Sequence, residues 1–576
     1  MSSTVHPLLA HGRRLPNVFD IAAILCVFAA IAAVAHVTPA TFKPISAPQA
    51  LAVSLDPANL PNYALRTTMR MFAALACSLL FTFTFAPLAA KSRRAGLVLV
   101  PLLDVLQSVP ILGFLSFTTA FFMSLFPGSV AGLEFAAIFA IFTSQAWNMA
   151  FSLYQSLTTL PHDLEEAARS FRLTGWQRFW RLDVPFGMPG LVWNTMLSMS
   201  GGWFFVVASE AITLGDKTWT LPGIGSYVAE ALDKRDLGAV AWAILAMLVV
   251  ILLYDQLLFR PLVAWSAKFR VEMTAGAVAE DPWVLKLLRR TAVLRHAGDV
   301  LSQVFGTFTR LRIGRPTGHA AAARPAASRA GDVVFFAVVG VVVGFAIWKV
   351  ASYIAANHLG WRDLGEAVLL GCITLLRVVV LIALASLFWV PIGVWIGLRP
   401  AWARRIQVVA QFLAAFPANL LFPIFVVVIV RYHLNADIWL TPLMILGTQW
   451  YILFNVVAGA SAFPGDLQEV AKNFGVRRWL WWRRVILPGI FPYYVTGAIT
   501  ASGGSWNAAI VAEVATWGKD KLSAHGLGAY IAHATEAGDF PRIVLGVVVM
   551  SMFVLAFNRA VWRPLYGYAT RRLTFG

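Results

Sequence analysis

Long stretches of this chain carry almost no charge, and that limits its fold more than any other feature. Ile406 to Val430 has no ionisable side chain and Val333 to Ile354 has only Lys349. Each exceeds the roughly twenty residues a helix needs to cross hydrocarbon. Inside lipid the backbone must bond to itself, so a chain built from such segments is helical or a closed barrel. Runs of this length, without period-two alternation, select helices and an all-α, polytopic membrane protein. Hydrophobic residues make up 59% of the 576, against 13% charged, as that class requires.

The formal charge of +18 does not imply nucleic acid. The basic residues gather in alternate loops, as membrane orientation demands. Cys26, Cys77 and Cys372 lie in or beside apolar runs without paired spacing, which reads as reduced thiols.

The most polar short segment between two apolar runs is Ala462 to Pro492, with Lys472, Arg477, Arg478, Arg483 and Arg484. Leu467, Val470, Ala471 and Phe474 follow at i, i+3, i+4 and i+7, an apolar stripe on a short helix. Gly475 suits the left-handed residue that ends such a helix. Thr159 to Pro189 has the same pattern in Leu164, Ala167, Ala168 and Phe171. Glu166 and Glu469, Pro185 and Pro488, Trp203 and Trp506, Glu210 and Glu513, and Tyr227 and Tyr530 all stand 303 residues apart. A register held without a gap over a hundred residues identifies an internal duplication.

Glu469-Val470-Ala471, Gly475, and Val485, Leu487 and Pro488 together resemble the EAA loop in membrane subunits of ATP-binding cassette importers. Trp506 to Glu513 followed by Gly526 to Ile531 is similar, more narrowly, to the nitrate, sulfonate and taurine permeases. The resemblance implies about twelve spans in two parallel six-helix repeats. The first permease half covers 1–270 with its coupling loop at 159–189, a cytoplasmic basic linker covers 271–330, and the second half covers 331–576 with its coupling loop at 462–492. It implies a bacterial plasma membrane protein with both termini cytoplasmic. Its partners would be the lipid bilayer, two ATPase subunits and a periplasmic or lipid-anchored solute-binding protein, with no nucleic acid. The solute would be a small anion of the nitrate, sulfonate or taurine kind.

No phosphate-cradling Gly-x-x-x-x-Gly-Lys-Ser/Thr loop occurs, nor His-Glu-x-x-His, Cys-x-x-Cys or Gly-x-Ser-x-Gly. No catalytic or metal-binding residue is therefore assigned, and no cofactor on this chain. ATP and Mg would be bound by the partner subunits. The residues expected to couple to an ATPase are Glu166, Ala167, Ala168, Arg172, Glu469, Val470, Ala471 and Gly475, the small Ala168 and Ala471 permitting close approach to the partner. Arg172 stands in place of Gly475, which predicts a first stripe helix running one turn further, or a separate contact made by Arg172.

Thr67-x-x-Arg70 and Thr374-x-x-Arg377 recur in spans entered from outside. Ionisable groups within spans are functional candidates, so Arg70 and Arg377 are assigned to the substrate pathway, with the alternative that they bond carbonyls or reach toward headgroups. Glu210 and Glu513 are placed with them, positioning Gly223-Ile224-Gly225 and Gly526-Leu527-Gly528 as parts of an external gate, with structural ion pairing as the alternative. Asp104 and uncharged Gln411 stand 307 residues apart, the spacing that Arg70 and Arg377 share. In the linker, Trp283, Leu287, Leu288, Val293 and Leu294 suggest a basic amphipathic helix, although a disordered tether is the simpler expectation. A twelve-span secondary transporter would have the same hydropathy but would not need duplicated stripe loops.

Overall fold

A computed structural model describes residues 41–46, 51–214, 217–269, 282–313, 329–357, 359–463, 465–518 and 520–572, with single positions between 20 and 39. Most of the expected first span, Ile21 to Val37, and residues 271–281 and 314–328 of the linker lie outside the described residues. So do Pro464, residues 215–216 and Cys26.

In the first half the elements are α1 (Leu60–Lys91), α2 (Arg93–Leu106), α3 (Leu115–Leu125), α4 (Ala131–Thr158), α5 (His162–Ser170) and α6 (Val184–Glu210). The hairpin β1 (Ala211–Leu214) and β2 (Lys217–Thr220) follows, then α7 (Ile224–Asp233) and α8 (Leu237–Tyr254). The linker contributes α9 (Trp283–Arg290) and α10 (Ala292–Arg310). The second half begins with α11 (Arg329–Ala356), α12 (Trp361–Gly397), α13 (Pro400–Ala415), α14 (Phe422–Arg431), α15 (Gln449–Ser461), α16 (Gly465–Asn473) and α17 (Leu487–Ala512). It continues with β3 (Val514–Trp517), β4 (Asp520–Ser523), α18 (Leu527–Glu536), α19 (Phe540–Phe557) and α20 (Arg563–Arg572).

The 303-residue register survives as geometry. α5 and α16, β1 and β3, β2 and β4, α7 and α18, and α8 and α19 begin and end 303 residues apart. Even the wide π turns repeat: Phe179–Asp183 with Trp482–Ile486, and Asp255–Phe259 with Asn558–Trp562. Such turns need a specific local cause and cluster at functional places, so their repetition shows that the two copies share local backbone detail as well as hydropathy.

Among the described residues eight helices are long and apolar enough to span, or up to ten if two bent pairs are counted as single spans. Three expected straight spans are broken. Leu97 to Phe126 divides between α2 and α3 around Val109-Pro110, and Ile406 to Val430 bends by 81° between Ala415 and Ala418. The physical reason at the second is plain: Phe416 precedes Pro417 and is extended, with ψ of 127°, because proline crowds its predecessor out of the helical region. Ile438 to Ala460 bends by 43° at Gly447-Thr448.

The described chain forms two compact units. One holds the described residues of Met1–Ala40, Ser152–Trp193 and Leu253–Ala326; the other holds those of Thr41–Phe151, Asn194–Leu252 and Ala327–Gly576. In the larger unit both repeats contribute to one apolar core, in which Ile111, Leu112 and Leu115 join Trp506, Ile510 and Val549. Ile111 N–H donates to Asn507 Oδ1 at 2.7 Å, and Gly518 N–H donates to the Leu232 carbonyl at 3.0 Å. In the smaller unit, where a tether is the simpler expectation for the linker, residues 283–310 are helical, broken only at extended Thr291. Trp176 Nε1 donates to the Phe308 carbonyl and Gln177 Nε2 to that of Arg310, both at 2.9 Å. Trp180 packs against Phe305 and Phe308.

Candidate functional site

α17 is 26 residues long, about 39 Å at 1.5 Å per residue, and separates two kinds of site. At its start lies the stripe loop. At its end lies the hairpin with a buried group of charges.

In both copies the stripe helix has nine residues. The first does not run further than the second, which removes one of the two alternatives for Arg172 and leaves a separate contact by that side chain. Arg172 itself takes the left-handed conformation, φ 48°, in the place where Gly475 has φ 65°. The closing bonds are the same. Arg172 N–H reaches the Arg169 carbonyl and Leu173 N–H that of Ala168; Gly475 N–H reaches Lys472 and Val476 N–H reaches Ala471. The loop geometry overrides the side chain's preference, at about 1–2 kcal/mol for a residue with a Cβ.

Ala168 and Ala471 are buried within the folded chain, so their small size serves the loop's own packing. The outward surface is instead Glu166, Ala167 and Phe171 in one copy and Glu469, Val470 and Phe474 in the other. Phe171 and Phe474 are 78% and 81% exposed. The two loops are braced differently. In the first, Glu165 pairs with Arg178 and Arg169, and Arg178 with Asp183 at 3.4 Å. The equivalent positions of the second, Gln468, Trp481 and Ile486, cannot form such a set.

At the hairpin end, Arg70 is almost fully buried between two carboxylates. Its Nε and Nη2 donate to Glu134 at 2.6 and 2.8 Å, and Nη1 donates to Glu210 Oε1 at 2.7 Å. Thr67 Oγ1 also donates to Glu210 Oε1, at 2.7 Å, and accepts from Ile224 N–H at 3.0 Å. Glu210 Oε2 accepts from Gly225 N–H at 2.7 Å. One buried carboxylate thus ties α1 and α6 to the start of α7. The fit explains the glycines: a Cβ on Gly223 would collide with the Glu210 carboxylate, and one on Gly225 with the Val207 carbonyl.

The second copy repeats the arrangement with a difference. Thr374 Oγ1 donates to Glu513 Oε1 at 2.9 Å and accepts from Leu527 N–H at 2.9 Å, and Ala529 N–H donates to Glu513 Oε2 at 3.0 Å. Arg377 donates to Glu513 at 3.3 Å and to Asp437 at 2.8 Å. Asp437, one methylene shorter than Glu134, takes Arg377 through a single oxygen and accepts His525 N–H at 2.7 Å, with His525 Nδ1 2.9 Å away. Glu134 and Asp437 obey the 303-residue register, a signal that sequence reading missed. Pro222 in the first copy corresponds to His525, so the histidine link belongs to the second alone. Asp104 pairs with Arg563. Cys77 and Cys372 are free and exposed.

A family model described as "Binding-protein-dependent transport system inner membrane component" matches residues 78–259 and again 389–561. The chain is 27% identical over 188 residues to a nitrate import permease protein of Leptolyngbya laminosa and to a bicarbonate transport system permease protein of Synechococcus elongatus. It is 28% identical over 198 residues to a glycine betaine/carnitine transport permease protein of Listeria monocytogenes. Each alignment takes in 33% of this chain and 63–64% of the relative, so the chain spans less than two thirds of the length of these relatives.

Proposed function

Because the chain belongs to the family of binding-protein-dependent transport system inner membrane components, we propose that it forms the solute pathway of an ATP-binding cassette importer and takes up a small inorganic or organic anion. The relatives named for nitrate and bicarbonate support the anion. The duplicated stripe loop, with an apolar surface repeated 303 residues apart and outward Phe171 and Phe474, carries the coupling role. Each loop receives one ATPase subunit, and those subunits bind ATP and Mg. A solute-binding protein delivers the anion at the hairpin end. The protein is a subunit of a transport complex and does no chemistry itself. It sits in the bacterial plasma membrane, with α5 and α16 on the cytoplasmic face.

On this reading buried Arg70 and half-buried Arg377 fix the outer segments and do not meet the solute directly, since each is already held by two carboxylates. Closure of the ATPases moves α5 and α16, and the long helices α6 and α17 carry that movement toward the hairpins.

Uptake by proteoliposomes containing the whole complex tests this. With labelled nitrate and bicarbonate against glycine betaine, anion uptake that depends on ATP and on the binding protein is expected. Phe474→Ala should lower uptake about tenfold or more, the effect of a central aromatic anchor in an interface, with the chain still inserted. Unchanged uptake in Phe474→Ala and Phe171→Ala together would remove the coupling role; uptake of betaine alone would remove the anion.

A further inference from the structure

A cavity of about 440 Å³ opens between α12, α17 and α20 at the end carrying the α16 loop. Its walls are Val390 and Phe491, with Ser386 and Tyr494 deeper in and Tyr568 and Arg483 at the mouth. Ser386 Oγ and Tyr494 OH lie 3.0 Å apart, a polar pair on an otherwise apolar floor. Arg483 is exposed and no carboxylate among the described residues pairs with it. Ser386 lies about three turns from the end of α12 and Tyr494 about two turns into α17. The cavity therefore runs from the water boundary into the spanning layer, with its cation at the boundary.

We propose that this cavity binds an anionic phospholipid of the inner leaflet, phosphate on Arg483 and one acyl chain along Val390 and Phe491. A cation at the mouth of a groove between spanning helices suits an anionic headgroup, and Tyr568 beside it is the kind of amphipathic ring that settles at the membrane boundary. The duplication supplies an internal comparison. In the first copy Trp180 stands at the position of Arg483, and Phe305 and Phe308 of the linker pack on it with ring centroids 5.7 and 5.5 Å away. There the chain supplies its own apolar cover, and an indole in place of the cation; here the groove keeps both its cation and its opening. The inference rests on the cytoplasmic placement of the α16 loop proposed above.

The test uses the full chain with its ATPase partners in lipid nanodiscs, photolabelled with phosphatidylglycerol or phosphatidylcholine analogues and mapped by peptide mass spectrometry. Phosphatidylglycerol label is expected on the segments around Val390 and Phe491. Arg483→Gln should reduce it about fivefold, the value of one Arg near an anionic lipid surface, while Arg484→Gln retains it. Val390→Trp, which fills the groove from its wall, should reduce labelling by either lipid. Equal labelling by phosphatidylcholine, or labelling unchanged in Arg483→Gln, overturns the proposal. Displacement of the label by millimolar inorganic phosphate overturns it in favour of a soluble anion. Labelling is read without transport, so a complex that keeps the lipid but shows no coupled uptake fails the functional reading alone.

Discussion

A buried ion group is informative at the residue scale because its members cannot be removed singly. Arg70→Ala would leave Glu134 and Glu210 facing each other out of water, at about 3–5 kcal/mol. Its thermal midpoint in detergent should fall clearly below that of Arg377→Ala, whose partner Asp437 is partly exposed. Equal midpoints would mean that the first group is not closed to water. Gly223→Ala and Gly526→Ala should each destabilise too, since the new methyl meets a carboxylate, and both φ values near 180° suit any residue. The left-handed positions predict a smaller, opposite pair of effects. Arg172→Gly should raise stability by about 1 kcal/mol and Gly475→Arg should lower it similarly, measured as shifts in the same melt.

Elements that look alike in sequence are held differently. α5 is braced by Glu165, Arg178 and Asp183 and, through Trp176, Gln177 and Trp180, by the linker helix α10. α16 has no counterpart of that ion set. Removing the aromatic contact by the double change Phe305→Ala and Phe308→Ala should speed amide hydrogen exchange across 174–183 and leave 477–486 unaltered. Faster exchange in both loops, or in neither, would show that α10 does not brace the first loop. The proline before each break explains why α3 and α14 are short: a span that must turn at Val109-Pro110 or Phe416-Pro417 cannot be one straight helix.

For the whole molecule, two parallel repeats with loops in register should present like ends on one side. Cysteines placed at Phe171 and Phe474 should react with a membrane-impermeant reagent from the same face, and cysteines at Lys217 and Lys521 from the other. Labelling of 171 and 474 from opposite faces would make the repeats antiparallel and undo the shared pathway. The matches to the family at 78–259 and 389–561 take in the stripe helices, the hairpins and the helices after them, whose boundaries repeat.

The sequence by itself determined the helical membrane class, the duplication, the stripe loops and the family, because hydropathy and spacing are properties of a chain read along its length. Only the tertiary structure decided that Ala168 and Ala471 face inward, that Arg172 bends into glycine's conformation, and that Arg70 and Arg377 are enclosed by Glu134 and Glu210 and by Asp437 and Glu513. The two ion groups depend on side chains sixty or more residues apart competing for the same space. A carboxylate finds its cation there because leaving either one alone in an apolar interior costs more than any local preference can offset.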